Sequence, residues 1–356
     1  VSDSIPTPRI NTHLVGHDAA EREVLDAWDA GRMHHAWLIT GKRGIGKATL
    51  AYRVARFILA GGGDAGLFGG PTTLALPEDH PVVHRIAHGA HGDLRVVERQ
   101  WDDKRKKLRT EIVVGDARDI GSFLSMTPAE GGWRVVLIDA VDEMNRNAAN
   151  AVLKVLEEPP KRSVLLLLAH NPARLLPTIR SRCRRLALRP LDDGTVADLV
   201  MRYRPDLDAD AAHGLARLGE GSVGRALELA AEGGLQHYHG MVGLLRGLPR
   251  LDVPGLHAFA EAAARSDESF RTTSELLLWW LGRTISAGGH GAPPTEVVPG
   301  ENGLFRTMLA AAPLDRWVEV WEKISRLLER ANAVNLDKKQ VLLSAFLAIE
   351  RAVRAP

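Results

Sequence analysis

Trp37-Leu38-Ile39-Thr40 runs directly into Gly41-Lys42-Arg43-Gly44-Ile45-Gly46-Lys47-Ala48-Thr49, and the order of these residues decides the fold. A short apolar run, a glycine loop ending in Lys, and then Leu50, Val54 and Phe57 at helical spacing predict a strand, a phosphate-binding loop and an amphipathic helix. In such a loop, backbone N–H groups and a helix N-terminus surround phosphate oxygens, and the lysine adds a point charge. The motif asks for two glycines separated by four residues, then Lys, then Ser or Thr. Gly41, Gly46 and Lys47 fit, with Gly44 between them, but Ala48 stands where the magnesium-binding hydroxyl belongs. Thr49 does not replace it, because one step along a helix swings a side chain by about a quarter turn. A tight glycine turn kept for strand-to-helix packing accounts for the same glycines, although it gives Lys47 no role.

A second half-site lies at Val135-Val136-Leu137-Ile138-Asp139. Four apolar residues followed by a carboxylate are how a buried strand delivers an acidic group to magnesium. Many such ATPases follow it with a glutamate that polarises the attacking water; here the next residue is Ala140, which accepts no proton. Asp142 and Glu143 lie beyond the strand end and need a different loop path. Asp139 alone also fits a turn or helix-capping role. With both half-sites degenerate, autonomous hydrolysis is not expected. ATP or ADP binding without turnover is compatible with Lys47, and no cofactor is required.

The chain of 356 residues is long enough for two or three domains, and 45% hydrophobic content supports real cores. Its 46 basic and 44 acidic residues leave a net charge of +2, so no global field argues for a nucleic-acid or membrane coat. A single cysteine, Cys183, excludes an internal disulfide framework and a cysteine-based zinc site, and it points to a reducing compartment. Residues 1–14 are polar, with Pro6 and Pro8, and read as neither signal peptide nor transit helix. No apolar run reaches membrane-spanning length. A cytoplasmic protein without membrane partners is the expectation.

Strand-like and helix-like segments alternate through the first half. Arg95 to Glu98 and Glu111 to Val114 read as strands flanking a charged hairpin, Asp102 to Lys107. Ala148, Val152 and Leu156 mark a helix stopped at Pro159-Pro160, and Val164 to Leu168 reads as a strand buried on both faces. This alternation predicts a parallel sheet covered on both sides. Beyond Pro190, Thr195 to Arg204, Ala209 to Leu218 and a stretch from Gly224 read as short helices. Phe259 to Ala264, Ser274 to Ile285, Arg316 to Asn332 and Lys338 to Val353 are also helical, with Trp317, Val320, Trp321, Ile324 and Leu328 as an apolar stripe. Gly288 to Pro294 reads as a linker and Gly61 to Gly70 as a mobile loop.

Three segments resemble bacterial clamp-loader subunits. Asp139 with Asn147-Ala148-Ala149-Asn150-Ala151-Val152-Leu153-Lys154 and Leu156-Glu157-Glu158-Pro159-Pro160 is similar to their magnesium strand and following helix. Thr178-Ile179-Arg180-Ser181-Arg182-Cys183 resembles their Ser-Arg-Cys segment, and Asn335 to Gln340 is similar, less specifically, to their last helices. A degenerate ATPase site beside an intact Ser-Arg-Cys most resembles the delta-prime type within the AAA+ clamp-loader family of DNA polymerase III.

The resemblance implies an α/β plus all-α chain: an AAA+ P-loop parallel-sheet module at 1–190, a small helical lid at 191–234 and a helical collar at 235–356. It also implies a hetero-pentamer with motor and delta subunits, acting in DNA replication to load a sliding clamp on primer-template DNA. The Ser-Arg-Cys arginine of that family reaches into a neighbour's ATP site, a role that falls on Arg182. Without that context, Arg180, Arg182, Arg184, Arg185 and Arg189 read as a solvated basic face. Any polymerase activity belongs to the holoenzyme. An ATP-hydrolysing motor subunit, a stand-alone AAA+ remodeller and a DNA-binding accessory protein are the competing readings.

Departures from the family pattern limit what carries over. Family members commonly hold zinc on four cysteines, whereas this chain has His80, His84, His88 and His91 in that region, so no zinc is expected. The lid segment Gly221 to Ala226 places Gly224 where the motor subunits carry an arginine, which puts a phosphate contact from Arg225 in doubt. His170-Asn171 occupies the first sensor region, where it can bond a phosphate or merely finish the strand. Asp102 to Lys107 reads as an exposed hairpin tip whose basic residues are able to brush DNA. Trp279-Trp280 and Trp317/Trp321 read as collar core or subunit interface.

Overall fold

A computed structural model describes residues 5–62, 71–104, 106–130, 132–291, 293–334 and 336–354; most of the predicted loop at 61–70 lies outside them. The chain divides into two compact units, Val1–Thr195 with Gly221–Gly224, and Val196–Glu220 with Arg225–Pro356. The segment 221–224, read from the sequence as part of the lid, is thus grouped with the first unit.

In the first unit the elements run α1 (Asp18–Asp29), β1 (Ala36–Thr40), α2 (Lys47–Leu59), α3 (Pro81–Ala87), β2 (Leu94–Glu98), β3 (Trp101–Asp102) and β4 (Lys107–Leu108). They continue α4 (Val114–Ala117), α5 (Ile120–Ser125), β5 (Arg134–Asp139), α6 (Arg146–Glu157), β6 (Ser163–Ala169), α7 (Pro177–Arg180) and β7 (Arg184–Ala187). The main sheet has the order β2-β5-β6-β1-β7 and is parallel throughout. Each parallel step needs a crossover, which puts helices on both faces and explains why β1 and β6 are buried at every residue.

The two faces have separate cores. Trp37, Ile39, Val135, Leu137, Leu166 and Leu168 pack with α1 and α2. Leu38, Val136, Ile138, Leu165 and Leu167 pack with α5 and α6 on the other side. Successive residues alternate between the cores because side chains alternate across a strand.

One sequence expectation is corrected in the first unit. Glu111 to Val114 is not a strand: Ile112 makes a single parallel bridge to Met144, and α4 begins at Val114. The cause is local, since the Asp116 carboxylate accepts the Val113 N–H (3.0 Å) and caps a helix there. The hairpin is instead held by the short strands β3 and β4.

A buried polar node ties the start of β2 to β5. Asp93, 1% exposed, accepts the N–H groups of Ala129 (2.9 Å) and Glu130 (3.2 Å) and faces the Arg134 guanidinium at 3.4 Å. Arg134 donates further to the carbonyls of Phe123 (2.9 Å) and Thr127 (2.6 Å). A charge pair this dry persists because nearly every polar valence is met.

The helices from Val196 onward belong mainly to the second unit: α8 (Asp193–Tyr203), α9 (Ala209–Gly219), α10 (Val223–Ala231), α11 (Gly234–Leu245) and α12 (Val253–Ala263). They end with α13 (Asp267–His290), α14 (Glu301–Ala311), α15 (Leu314–Val334) and α16 (Lys338–Arg354). The predicted stripe on α15 is realised, with Trp317, Val320, Ile324 and Leu328 buried. Trp280 is buried against Phe305, and the Trp321 indole N–H donates to the Leu278 carbonyl (3.1 Å), so these tryptophans serve packing.

The linker expected at Gly288 to Pro294 is corrected in part, because α13 continues through His290. Gly288 is a packing position: a Cβ there would lie 2.8 Å from Leu314 Cδ1 and 2.9 Å from Leu309 Cδ2. Buried Glu301 accepts from the Tyr238 hydroxyl and the Val297 N–H (2.9 Å) and pairs with Arg283 at 3.5 Å. No described helix is long and apolar enough to cross a membrane.

Candidate functional site

The glycine loop leaves the C-terminal end of β1, and Gly46 sits at the N-cap of α2 with φ +109°, a conformation L side chains rarely adopt. His17 covers this turn: its Nε2–H donates to the Ile45 carbonyl (2.8 Å). A Cβ on Gly46 would meet His17 Nε2 at 3.3 Å and Leu14 Cδ1 at 3.5 Å. Sequence reasoning missed His17, since a histidine far upstream carries no signal of contact with the loop.

Lys47 is 3% exposed and turned back on its own loop. Its ammonium donates to the carbonyls of Gly41 (2.8 Å) and Lys42 (2.7 Å). Burial pulls its pKa down to about 8, against the opposing pull of the Asp139 and Asp142 carboxylates. A phosphate taking this ammonium has to displace two charge-assisted hydrogen bonds.

The opposite flank of the loop is latched by residues 221–224. The Ser222 hydroxyl donates to the Arg43 carbonyl (2.7 Å), and the Gly224 N–H donates to the Gly44 carbonyl (2.8 Å). The approach is close enough that a Cβ at Gly224 would lie 2.6 Å from Gly44 Cα. Gly224→Ala therefore forces backbone apart and is expected to cost about 1–3 kcal/mol, the usual toll of overpacking. That is a drop of roughly 2–4 °C in melting temperature per kcal/mol. Gly243→Ala, with nothing within 4 Å, is the control and should not destabilise. A Gly224→Ala protein melting with the native one would show that the latch is loose.

Asp139 ends β5, and burial pushes its carboxyl up to about 6, with Lys47 opposing. Ala140 behind it is 1% exposed. Asp142, beyond the strand end, is engaged: its two carboxylate oxygens accept the N–H groups of His170 (3.0 Å) and Asn171 (2.8 Å). The Asn171 side chain accepts the Ala173 N–H (3.1 Å), so it finishes the strand. Burial, reinforced by the Lys47 charge, pulls His170 down to about 4 and leaves a neutral imidazole near the loop. Glu143 is paired with Arg99 at 2.7 Å.

Gly41, Gly44, Gly46, Lys47, Ala48, Thr49 and Asp139 thus come together as the sequence placed them. They fit a magnesium ion poorly, because position 48 has no hydroxyl to ligate it and leaves only the Asp139 carboxylate; position 140 separately offers no base for an attacking water. Arg225 pairs with Glu275 and with Glu228 at 3.6 Å.

Arg182 lies in a different place. It follows α7, donates to the Thr178 carbonyl (3.0 Å) and pairs with Glu157 at the end of α6 (2.9 Å), its side chain 35% exposed. An exposed pair of this kind is worth about 0–1 kcal/mol, so the guanidinium is held in place yet easily recruited. Burial pushes the neighbouring Cys183 thiol up to about 12, which makes it unreactive.

Three of the four predicted histidines make local backbone hydrogen bonds. His80 caps α3 by accepting the Val82 N–H (3.1 Å), His88 Nδ1–H donates to the His84 carbonyl (2.7 Å), and His91 accepts the Asp93 N–H (3.2 Å).

The family model described as "DNA polymerase III, delta subunit" matches residues 16–192. Over 201 residues the chain is 39% identical to "DNA polymerase III subunit delta'" of Pseudomonas aeruginosa, covering 56% of this chain and 56% of that protein. It is 31% identical over 201 residues to the protein of the same name from Bacillus subtilis, covering 56% of this chain and 54% of that one. It is 30% identical over 226 residues to "DNA polymerase III subunit tau" of Escherichia coli, covering 62% of this chain and 32% of that one. In the two delta-prime alignments the chain spans 56% and 54% of the relatives' length.

Proposed function

We propose that the protein, whose residues 16–192 match the family model described as "DNA polymerase III, delta subunit", is a delta-prime-like clamp-loader subunit in DNA replication. It does not hydrolyse ATP. It joins motor and delta subunits in a hetero-pentamer that places a sliding clamp on primer-template DNA in the cytoplasm, and it offers Arg182 to a neighbour's ATP. In this reading residues 1–190 form the AAA+ module, 191–234 the lid and 235–356 the collar.

One observation carries the reading. The chain's own loop has lost its magnesium groups and turned Lys47 inward, while Arg182 stands outside that loop, part-exposed and weakly held. A guanidinium so placed can spread charge over a transferring phosphoryl group that another subunit binds. The reading of this chain as a motor subunit has Ala48 and Ala140 against it.

The test is co-purification of the full chain with candidate motor and delta subunits, with stoichiometry measured by mass. One copy per complex is expected, and Lys47→Ala should leave the turnover of the complex unchanged. A chain that stays out of every such complex, or a complex silenced by Lys47→Ala, would contradict the proposal.

A further inference from the structure

The β3–β4 hairpin stands off the end of the sheet's edge strand β2, with Trp101 opposite Leu108 and Asp102 opposite Lys107. Trp101 is 53% and Leu108 50% exposed. Every described residue from 103 to 111 is exposed as well, so this apolar pair lies outside the buried core. Of the eight tryptophans in the chain, Trp101 alone is exposed. A cross-strand pair contributes about 0.2–1 kcal/mol to a hairpin. That contribution explains a Trp–Leu pair, but not a Trp–Leu pair surrounded by cations.

Lys104, Lys106, Lys107 and Arg109 flank it in sequence and outnumber the hairpin's Asp102 and Asp103, with Arg109 lying 3.9 Å from Asp116, in a chain whose overall net charge is only +2. On either side of the turn, Asp102 Oδ1 accepts the Lys104 N–H (3.0 Å), Lys106 takes φ +51°, and the Arg109 N–H donates to the Gln100 carbonyl (3.0 Å). Like charges packed this closely on a short turn repel one another, so the arrangement favours a polyanion. A flat indole in the middle of the cations adds a second requirement, a partner with an open π face. Single-stranded DNA meets both requirements, because its unpaired bases stack on aromatic rings while its phosphates take the lysines. An acidic protein surface meets only the first.

We propose that the β3–β4 hairpin is a contact for single-stranded DNA, stacking a base on Trp101 and engaging phosphates through Lys104, Lys106 and Lys107. This contact is independent of the role given to Arg182 and stands or falls separately from it. It names a surface at which the protein itself, rather than its neighbours, touches the nucleic acid.

The experiment is a titration of a labelled oligothymidylate and of a primer-template with a single-stranded overhang, using the full chain over a series of salt concentrations. Trp101→Ala should weaken binding about 5- to 150-fold, the range base–aromatic stacking supplies, and Trp101→Phe should restore most of it. Lys104→Gln, Lys106→Gln and Lys107→Gln together should flatten the log–log salt slope by about 2, three phosphates at about 0.7 each. The lysine variant should not lower the melting temperature, because those side chains are exposed, and Trp101→Ala should cost no more than the roughly 0.2–1 kcal/mol of its cross-strand pair. Unchanged affinity and slope would overturn the proposal, as would a native chain that binds neither probe at low salt. Variants that keep DNA affinity but lose co-purification with protein subunits would also overturn it and make the hairpin a protein dock.

Discussion

Arg182→Ala is expected to lower the clamp- and DNA-stimulated ATP turnover of the assembled complex by about 10³-fold or more, while the variant still enters the complex. An arginine supplied in trans to a transferring phosphoryl group is worth about 10³ to 10⁵ in rate, roughly 4 to 7 kcal/mol of barrier. Losing the same side chain costs the folded chain little. Its partners are the Thr178 carbonyl and the half-exposed Glu157, neither of them buried in the core. This separation of a large kinetic effect from a small structural one is what makes the variant informative. Arg182→Lys keeps the charge but loses the planar fork, so turnover should fall between native and alanine. Glu157→Gln removes only the exposed partner and should leave turnover near native. Unchanged turnover in Arg182→Ala would remove the finger and leave Arg182 as one cation in a solvated basic face.

The second large effect concerns stability. Asp93→Ala should lower the unfolding free energy by about 3–5 kcal/mol, since it strands the Arg134 charge in a dry site. It also leaves the Ala129 and Glu130 N–H groups without their acceptor, and each unmet buried donor adds to the cost. Arg134→Ala should be comparably damaging by exposing the same pair from the other side. The denaturant midpoint reads both, and a loss below about 1 kcal/mol would mean that water reaches the node. The double variant should cost less than the sum of the two singles, because neither charge is then left alone.

The parts of the fold that were legible in the sequence are those where burial dictates composition. β1, β5 and β6 carry apolar runs, at 36–39, 135–138 and 164–169, because helices cover both of their faces, and the glycine loop marks its own place between β1 and α2. What was not legible rests on contacts distant in sequence or on very short elements. β3 and β4 have two residues each, too few for any alternation, so the strand was sought at Glu111 to Val114 instead. Gly288 looked like a linker residue because the sequence does not reveal Leu309 and Leu314 pressing against it.

The site divides in the same way. Lys47, Ala48, Asp139 and Ala140 were placed by motif spacing alone. His17 over the loop, Asp142 beneath His170, and the latch from Ser222 and Gly224 were not, since each is a hydrogen bond across a long sequence gap. The first and last of these contacts hold carbonyls of the loop, and Asp142 holds the end of β6.

In the proposed function the molecule aids another subunit's phosphate chemistry and performs none itself. The most direct measurement is ATP hydrolysis by the purified chain alone, with Lys47→Ala as the paired control. The account predicts a rate indistinguishable between the two proteins and no different from that of buffer. Steady hydrolysis by the native chain that Lys47→Ala abolishes would contradict it.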